Sequence, residues 1–231
     1  MNRGDRVASV GGKLGGVCRV LLIAAAIVAP AVAQASFYEF TAFDQEGEDM
    51  PYPGLYLYMT VEDYGDGLAH FTFYNESAID CSIARIYFDD GSLLGVDTIT
   101  NGPGTEFARA YPGPDNLPGG QNLTPPFEAS RGFNIGAVNP PPKNGVKNDP
   151  FGEWVDIAFT LQNGQTIFDV MDELQNGTLR VGLHVLAFPD GGSESVIDAV
   201  NEEIPIPEPS VIALLACGAL GMLVRRPRRS A

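Results

Sequence analysis

The chain has 231 residues, 45% of them apolar, with 14 Lys and Arg against 29 Asp and Glu and a net charge of −15 at pH 7. That length allows one packed core, and the acidic balance excludes nucleic acid as a partner, because phosphate binding needs clustered Lys and Arg. Of the 3 cysteines only Cys81 lies in the central region, so an intramolecular disulfide or a thiolate metal cluster is excluded there.

Arg3, Arg6, Lys13 and Arg19 precede an uncharged, apolar run over 20–29, and small residues follow. A charged start, a greasy stretch and an Ala-x-Ala site predict a secretory signal peptide over 1–35. Two frames fit, Ala31-Val32-Ala33 and Ala33-Gln34-Ala35, and the second leaves Ser36 as the mature start. Cys18 precedes the apolar run, so it is not a lipid-acylation site. Setting aside 1–35 and the C-terminal segment 205–231 leaves a domain, 36–204, with 6 basic and 27 acidic residues and a net charge near −21. Such charge keeps an exported protein soluble. It also repels acidic polysaccharide unless divalent cations bridge the two.

The domain reads as strands. Candidates fall at 36–43, 54–61, 68–74, 82–88, 93–98, 132–138, 154–161, 178–188 and 194–199. In the second, Leu55, Leu57, Met59 and Val61 share one face and Tyr56, Tyr58 and Thr60 the other. In the third, Ala69, Phe71 and Phe73 oppose Leu68, His70, Thr72 and Tyr74. Over 178–188, Leu179, Val181, Leu183, Val185 and Ala187 point one way. Asp66-Gly67, Asp90-Gly91, Asn163-Gly164 and Asp190-Gly191 supply turns. One helix is predicted where Ile167, Val170, Met171 and Leu174 form a stripe and Gly177 provides the stop, placed to plug one end of the fold. The Gly- and Pro-rich stretches 101–126 and 139–150 read as functional or mobile loops. The fold class is all-β, an antiparallel β-sandwich of jelly-roll-like or immunoglobulin-like form with one short helix.

Catalytic chemistry has little support in the residues. His70 and His184 both fall on polar strand faces and read as solvated, and no Gly-x-Ser-x-Gly elbow is present to offer a nucleophile. Adjacent acids such as Glu62-Asp63, Asp89-Asp90, Asp172-Glu173 and Glu202-Glu203 follow from the composition, and strand neighbours face opposite ways. The domain is therefore read as non-catalytic, with a secreted hydrolase ranked third. Calcium is the one cofactor considered, on oxygen-rich turns, with Glu62, Asp63 and Asp66 the first choice of ligands ahead of Asp44, Glu46, Glu48 and Asp49 or Asp190 and Glu194. A second candidate site is a sugar-binding face. Tyr56, Tyr58, His70 and Tyr74 would form one patch if 54–61 and 68–74 pair as a hairpin, since aromatic faces stack on sugar rings. Cross-strand tyrosines also serve simply as sheet stabilisers. Cys81 reads as a small buried residue, or else as a thiol that pairs between chains.

The stretch 201–209 is acidic and proline-containing, a stiff spacer. It leads to Pro207, Glu208 and Pro209, an uncharged run over 210–224, and Arg225, Arg226, Arg228 and Arg229. Fifteen helical residues rise about 22 Å against a hydrocarbon core of about 30 Å, a marginal anchor. The arginines place its end on the cytoplasmic side, with the domain outside. Tripeptide, apolar run and basic cluster, in that order, resemble the PEP-CTERM sorting signal of Gram-negative bacteria. The resemblance covers only the last 25 or so residues, and no family is identified for the domain. It implies processing by an exosortase, a membrane-embedded cysteine transpeptidase, after a transient inner-membrane stage, and association with exopolysaccharide or biofilm matrix. An ordinary permanent anchor is the alternative.

Overall fold

Alternation of apolar side chains over 35–42, 57–62, 69–75 and beyond sets strands whose inner faces must find partners, and they find them in one antiparallel sheet. The computed structural model describes residues 35–43, 47, 52–89, 91–109, 115–149, 152–162 and 164–198. The predicted signal peptide up to residue 34, the predicted sorting motif Pro207–Glu208–Pro209, the Arg225–Arg229 cluster and the acids Asp44, Glu46, Glu48 and Asp49 lie outside the described residues.

The first half of the sheet is made of β1 (Ala35–Ala42), β2 (Leu57–Glu62), β3 (Ala69–Asn75), β5 (Leu93–Asn101) and β9 (Trp154–Leu161). The second is made of β4 (Ser82–Asp89), β6 (Phe107–Arg109), β7 (Asn134–Ala137), β8 (Val146–Lys147), β10 (Arg180–Leu186) and β11 (Glu194–Asp198). Their order is β5-β9-β3-β2-β1-β11-β10-β4-β7-β6, with β8 also on β4. The strand β1 joins the halves: residues 35–39 pair with β2 and 40–42 with β11. The two end strands come together through Asn101, whose Oδ1 accepts from the Phe107 N–H at 2.7 Å, and through Arg109, which donates to the Asp97 carbonyl. The sheet is thus nearly closed into a barrel-like shape, and side chains rather than a ladder bridge the seam.

Leu57, Met59 and Val61 of β2, Phe71 and Phe73 of β3, Val155, Ile157 and Phe159 of β9, and Val181, Leu183 and Val185 of β10 meet inside. Phe88 stands at the centre, edge-on to Phe71 at 5.1 Å and to Phe159 at 4.6 Å. The helix α2 (Ile167–Asn176) adds its stripe of Ile167, Val170, Met171 and Leu174 to this core. Thr166 and Asp169 close a capping box at its start, and Gly177, at φ 76°, ends it.

Two expectations need correction. Ala187 does not continue the inward row of β10: its φ of 65° turns the chain after Leu186 and leaves the side chain exposed. The stretches read as loops also carry structure. They contain β6, β8 and the short helix α1 (Pro141–Asn144), and Leu117 of the first, with Phe127 just after it, joins a second apolar cluster over Phe43 and Tyr87. Leu117 lies so close over Gly182 of β10 that a Cβ there would stand 2.6 Å from its Cδ2. Arg180 holds this cover down, donating to the Pro125 and Pro126 carbonyls and pairing with Asp89.

Candidate functional site

Because Met59 and Phe73 point into the core, the residues that alternate with them stand on the outer face of the sheet. Strands β2 and β3 pair as the predicted hairpin, with Tyr58 opposite Tyr74 and Glu62 opposite His70. The Tyr58 and Tyr74 rings stack at 4.8 Å and 17°, Tyr56 lies 5.7 Å from Tyr58, and Phe37 of β1 adds a ring 4.7 Å from Tyr58. Trp154 of β9 is the partner of Tyr74 across the next ladder. The phenol of Tyr56 donates to Glu39 at 3.3 Å and that of Tyr58 to Glu76 at 3.1 Å. Burial, then the hydrogen bond to Glu76, pushes the Tyr58 pKa up to about 12, so it stays a neutral donor. The row is therefore real, and its rings lean on one another. Tyr56, 39% exposed, is the most open ring of the row.

His70 does not join that row. Four residues before Tyr74 on β3, it is buried, with Nδ1 2.9 Å from Asp156 Oδ2 and Nε2 3.0 Å from Asp66 Oδ2. Thr72 donates to the other Asp156 oxygen at 3.1 Å, and the Tyr64 ring covers the imidazole at 4.5 Å. Burial acts to lower the His70 pKa, but the hydrogen bonds and charges of Asp156 and Asp66 outweigh it and hold the ring above its ordinary value. Burial acts in the opposite sense on Asp66, yet the bonds from His70 and the Leu68 N–H keep that carboxyl below its usual range. The reading of both histidines as solvated is corrected. His184 is half-buried beside Arg85, and burial followed by that cation depresses its pKa.

The Glu62, Asp63 and Asp66 turn does not assemble as a calcium site. Asp63 Oδ1 accepts from the Gly65 and Gly67 N–H groups, and Asp66 is taken by Leu68 and His70. Backbone N–H groups of the turn and the His70 ring thus engage Asp63 and Asp66. Among the described residues no group of three or more His, Cys, Asp or Glu is placed to hold a metal ion. Asp190 likewise caps its turn, accepting from the Gly192 N–H at 2.8 Å. Cys81 is buried, as expected, and Asn75 donates to its sulfur at 3.4 Å.

At the Tyr74 end of the row the surface dips into a cleft of about 380 Å³ between the end of β3 and the segment leading into β9. Tyr74, Glu76, Ser77, Asn148, Asp149 and Glu153 line it. Glu153 is fixed there: its Oε1 accepts from Lys147 Nζ at 2.5 Å and its Oε2 from the Lys147 N–H at 2.8 Å. Asn148 donates to the Ser77 carbonyl at 3.3 Å, tying the two walls. Sequence reasoning missed both the cleft and the Asp156 clamp. One signal for the clamp was present: Asp156 interrupts the apolar run of β9 between Val155 and Ile157, where an unpaired charge would be costly.

Comparison of the chain with protein-family models, curated proteins and solved structures gives no match.

Proposed function

We propose that this chain is an exported, non-catalytic protein of the cell surface or extracellular matrix, processed at both ends and sorted by an exosortase-type system. The observation that carries this reading is the order of the terminal segments in the sequence: a charged start, apolar run and Ala-x-Ala site over 1–35, and Pro207, Glu208 and Pro209 followed by an uncharged run and Arg225, Arg226, Arg228 and Arg229. Between them, β1 and β11, the first and last strands of the described residues, pair with each other, and β1 begins where the predicted signal peptide ends. Removal of 1–35 and of the tail near Pro207–Glu208–Pro209 leaves every described strand, save the first residue of β1. The finer architecture we propose is a sandwich in which β1 passes from one half of the sheet to the other. Replacing Pro207, Glu208 and Pro209 together by alanine in the native host should leave an unprocessed, membrane-held precursor. Normal release of that variant would remove the sorting reading.

A second reading, a carbohydrate-binding face, is favoured by the convergence of Tyr56, Tyr58 and Tyr74 on one outer surface. Aromatic surface with phenolic hydroxyls suits sugar rings. Retention on polysaccharide that is lost in Tyr56→Ala and Tyr58→Ala supports it; equal retention by both variants removes it.

A further inference from the structure

We infer that the cleft beside Tyr74 is a subsite for one unit of an uncharged, hydroxyl-rich glycan, an inference that rests on the carbohydrate reading of the tyrosine row. Its position comes first. The cleft adjoins the row at Tyr74, one of its lining residues, whose ring is already braced by Tyr58 at 4.8 Å and so needs no reordering. Its two walls are held by hydrogen bonds made within the protein: Asn148 to the Ser77 carbonyl across the cleft, Ser77 N–H to Asn75 Oδ1 at 3.1 Å on the β3 side, and Lys147 to Glu153 on the other. Preorganised polar groups around one apolar ring suit a sugar, which offers a C–H face and a rim of hydroxyls.

Charge then narrows the class. Glu76, Asp149 and Glu153 bring three carboxylates, no Lys or Arg is among the lining residues, and Lys147 is bound to Glu153. A uronate, sulfate or phosphate would meet like charge at these lining carboxylates. Glu76 uses Oε1 to accept the Tyr58 hydroxyl, and a carboxylate keeps further lone pairs for hydroxyl donors. An uncharged sugar fits both conditions.

The test is affinity electrophoresis of the full detergent-solubilised chain through gels containing neutral hydroxyethyl cellulose, dextran or mannan, polyanionic alginate, or polycationic chitosan. Retardation by a neutral glycan, persisting in salt, and none by alginate is expected. Tyr74→Ala and Asp149→Arg should each weaken it by about tenfold or more. Asp149→Arg adds bulk and opposite charge to the lining while leaving every tyrosine of the row in the sequence, so a folding defect in Tyr74→Ala does not decide the result. Retardation by chitosan alone, abolished by salt, would reveal only an acidic surface and overturn the proposal. Neutral-glycan binding lost in Tyr56→Ala but unchanged in Asp149→Arg would overturn the cleft and leave the tyrosine face standing. No retardation of the unaltered chain in any neutral gel would end both.

Discussion

His70 shows how a single ring ties an exposed hairpin tip to the interior of a sheet. Protonated, it donates to Asp66 and Asp156 at once; neutral, it has one N–H for two carboxylates. Its folded pKa is raised, so the stabilisation is complete below the ordinary value of 6.5 and is lost as pH rises through the higher folded value. Asp66 has the opposite sign: its lowered pKa stabilises above its ordinary 3.8 and fails as pH falls through the folded value. Replacing His70 by Ala should cost about 2 kcal/mol in denaturant unfolding at mildly acidic pH, because buried Asp156 keeps the Thr72 hydroxyl on Oδ1 but loses the donor to Oδ2. The difference between the two proteins should shrink with rising pH; a constant difference would contradict the clamp. Asp198 contributes separately. Burial, against the opposing Val181 N–H, pushes its pKa up to about 7, so its ionisation costs stability progressively between its ordinary 3.8 and that value. Asp198→Asn should flatten this decline, measured as melting temperature across the interval. Cys81 is buried and burial raises its thiol pKa, so a maleimide should label it only after unfolding.

Among the elements, the strongly periodic ones were legible. The β2 and β3 faces, the β9 and β10 cores and the α2 stripe with its Gly177 stop all follow from alternation or helical spacing, because each buries one face against the same interior. What escaped were elements whose burial depends on a distant partner. Leu117 and Phe127 sit singly among glycines and prolines, and nothing local indicates that they cover Tyr87 and Phe43. Leu117→Ala should nevertheless cost about 3 kcal/mol, as a core leucine would. Gly182→Ala should destabilise by about 1–3 kcal/mol, since its methyl would collide with Leu117. If chemical denaturation finds both changes neutral, the segment 115–129 is not packed as described. The candidate site divides the same way. The tyrosine row was readable from one hairpin, whereas the cleft and the clamp required β9, some eighty residues away, to be placed beside β3.

At the scale of the molecule, a nearly closed sheet from 35–198 carries most of the negative charge, and the two predicted signals stand on either side of it. The acidic surface keeps it from polyanions, while the outer face of β2 and β3 offers the tyrosine row. An exosortase and polysaccharide-synthesis genes in the same genome would accord with the sorting account. The most direct measurement is the intact mass of the protein recovered from its native host. The account predicts a chain that starts at Ser36 and stops near Pro207–Glu208–Pro209. A mass that still includes Arg225, Arg226, Arg228 and Arg229 would contradict it and make the protein a permanent resident of the membrane.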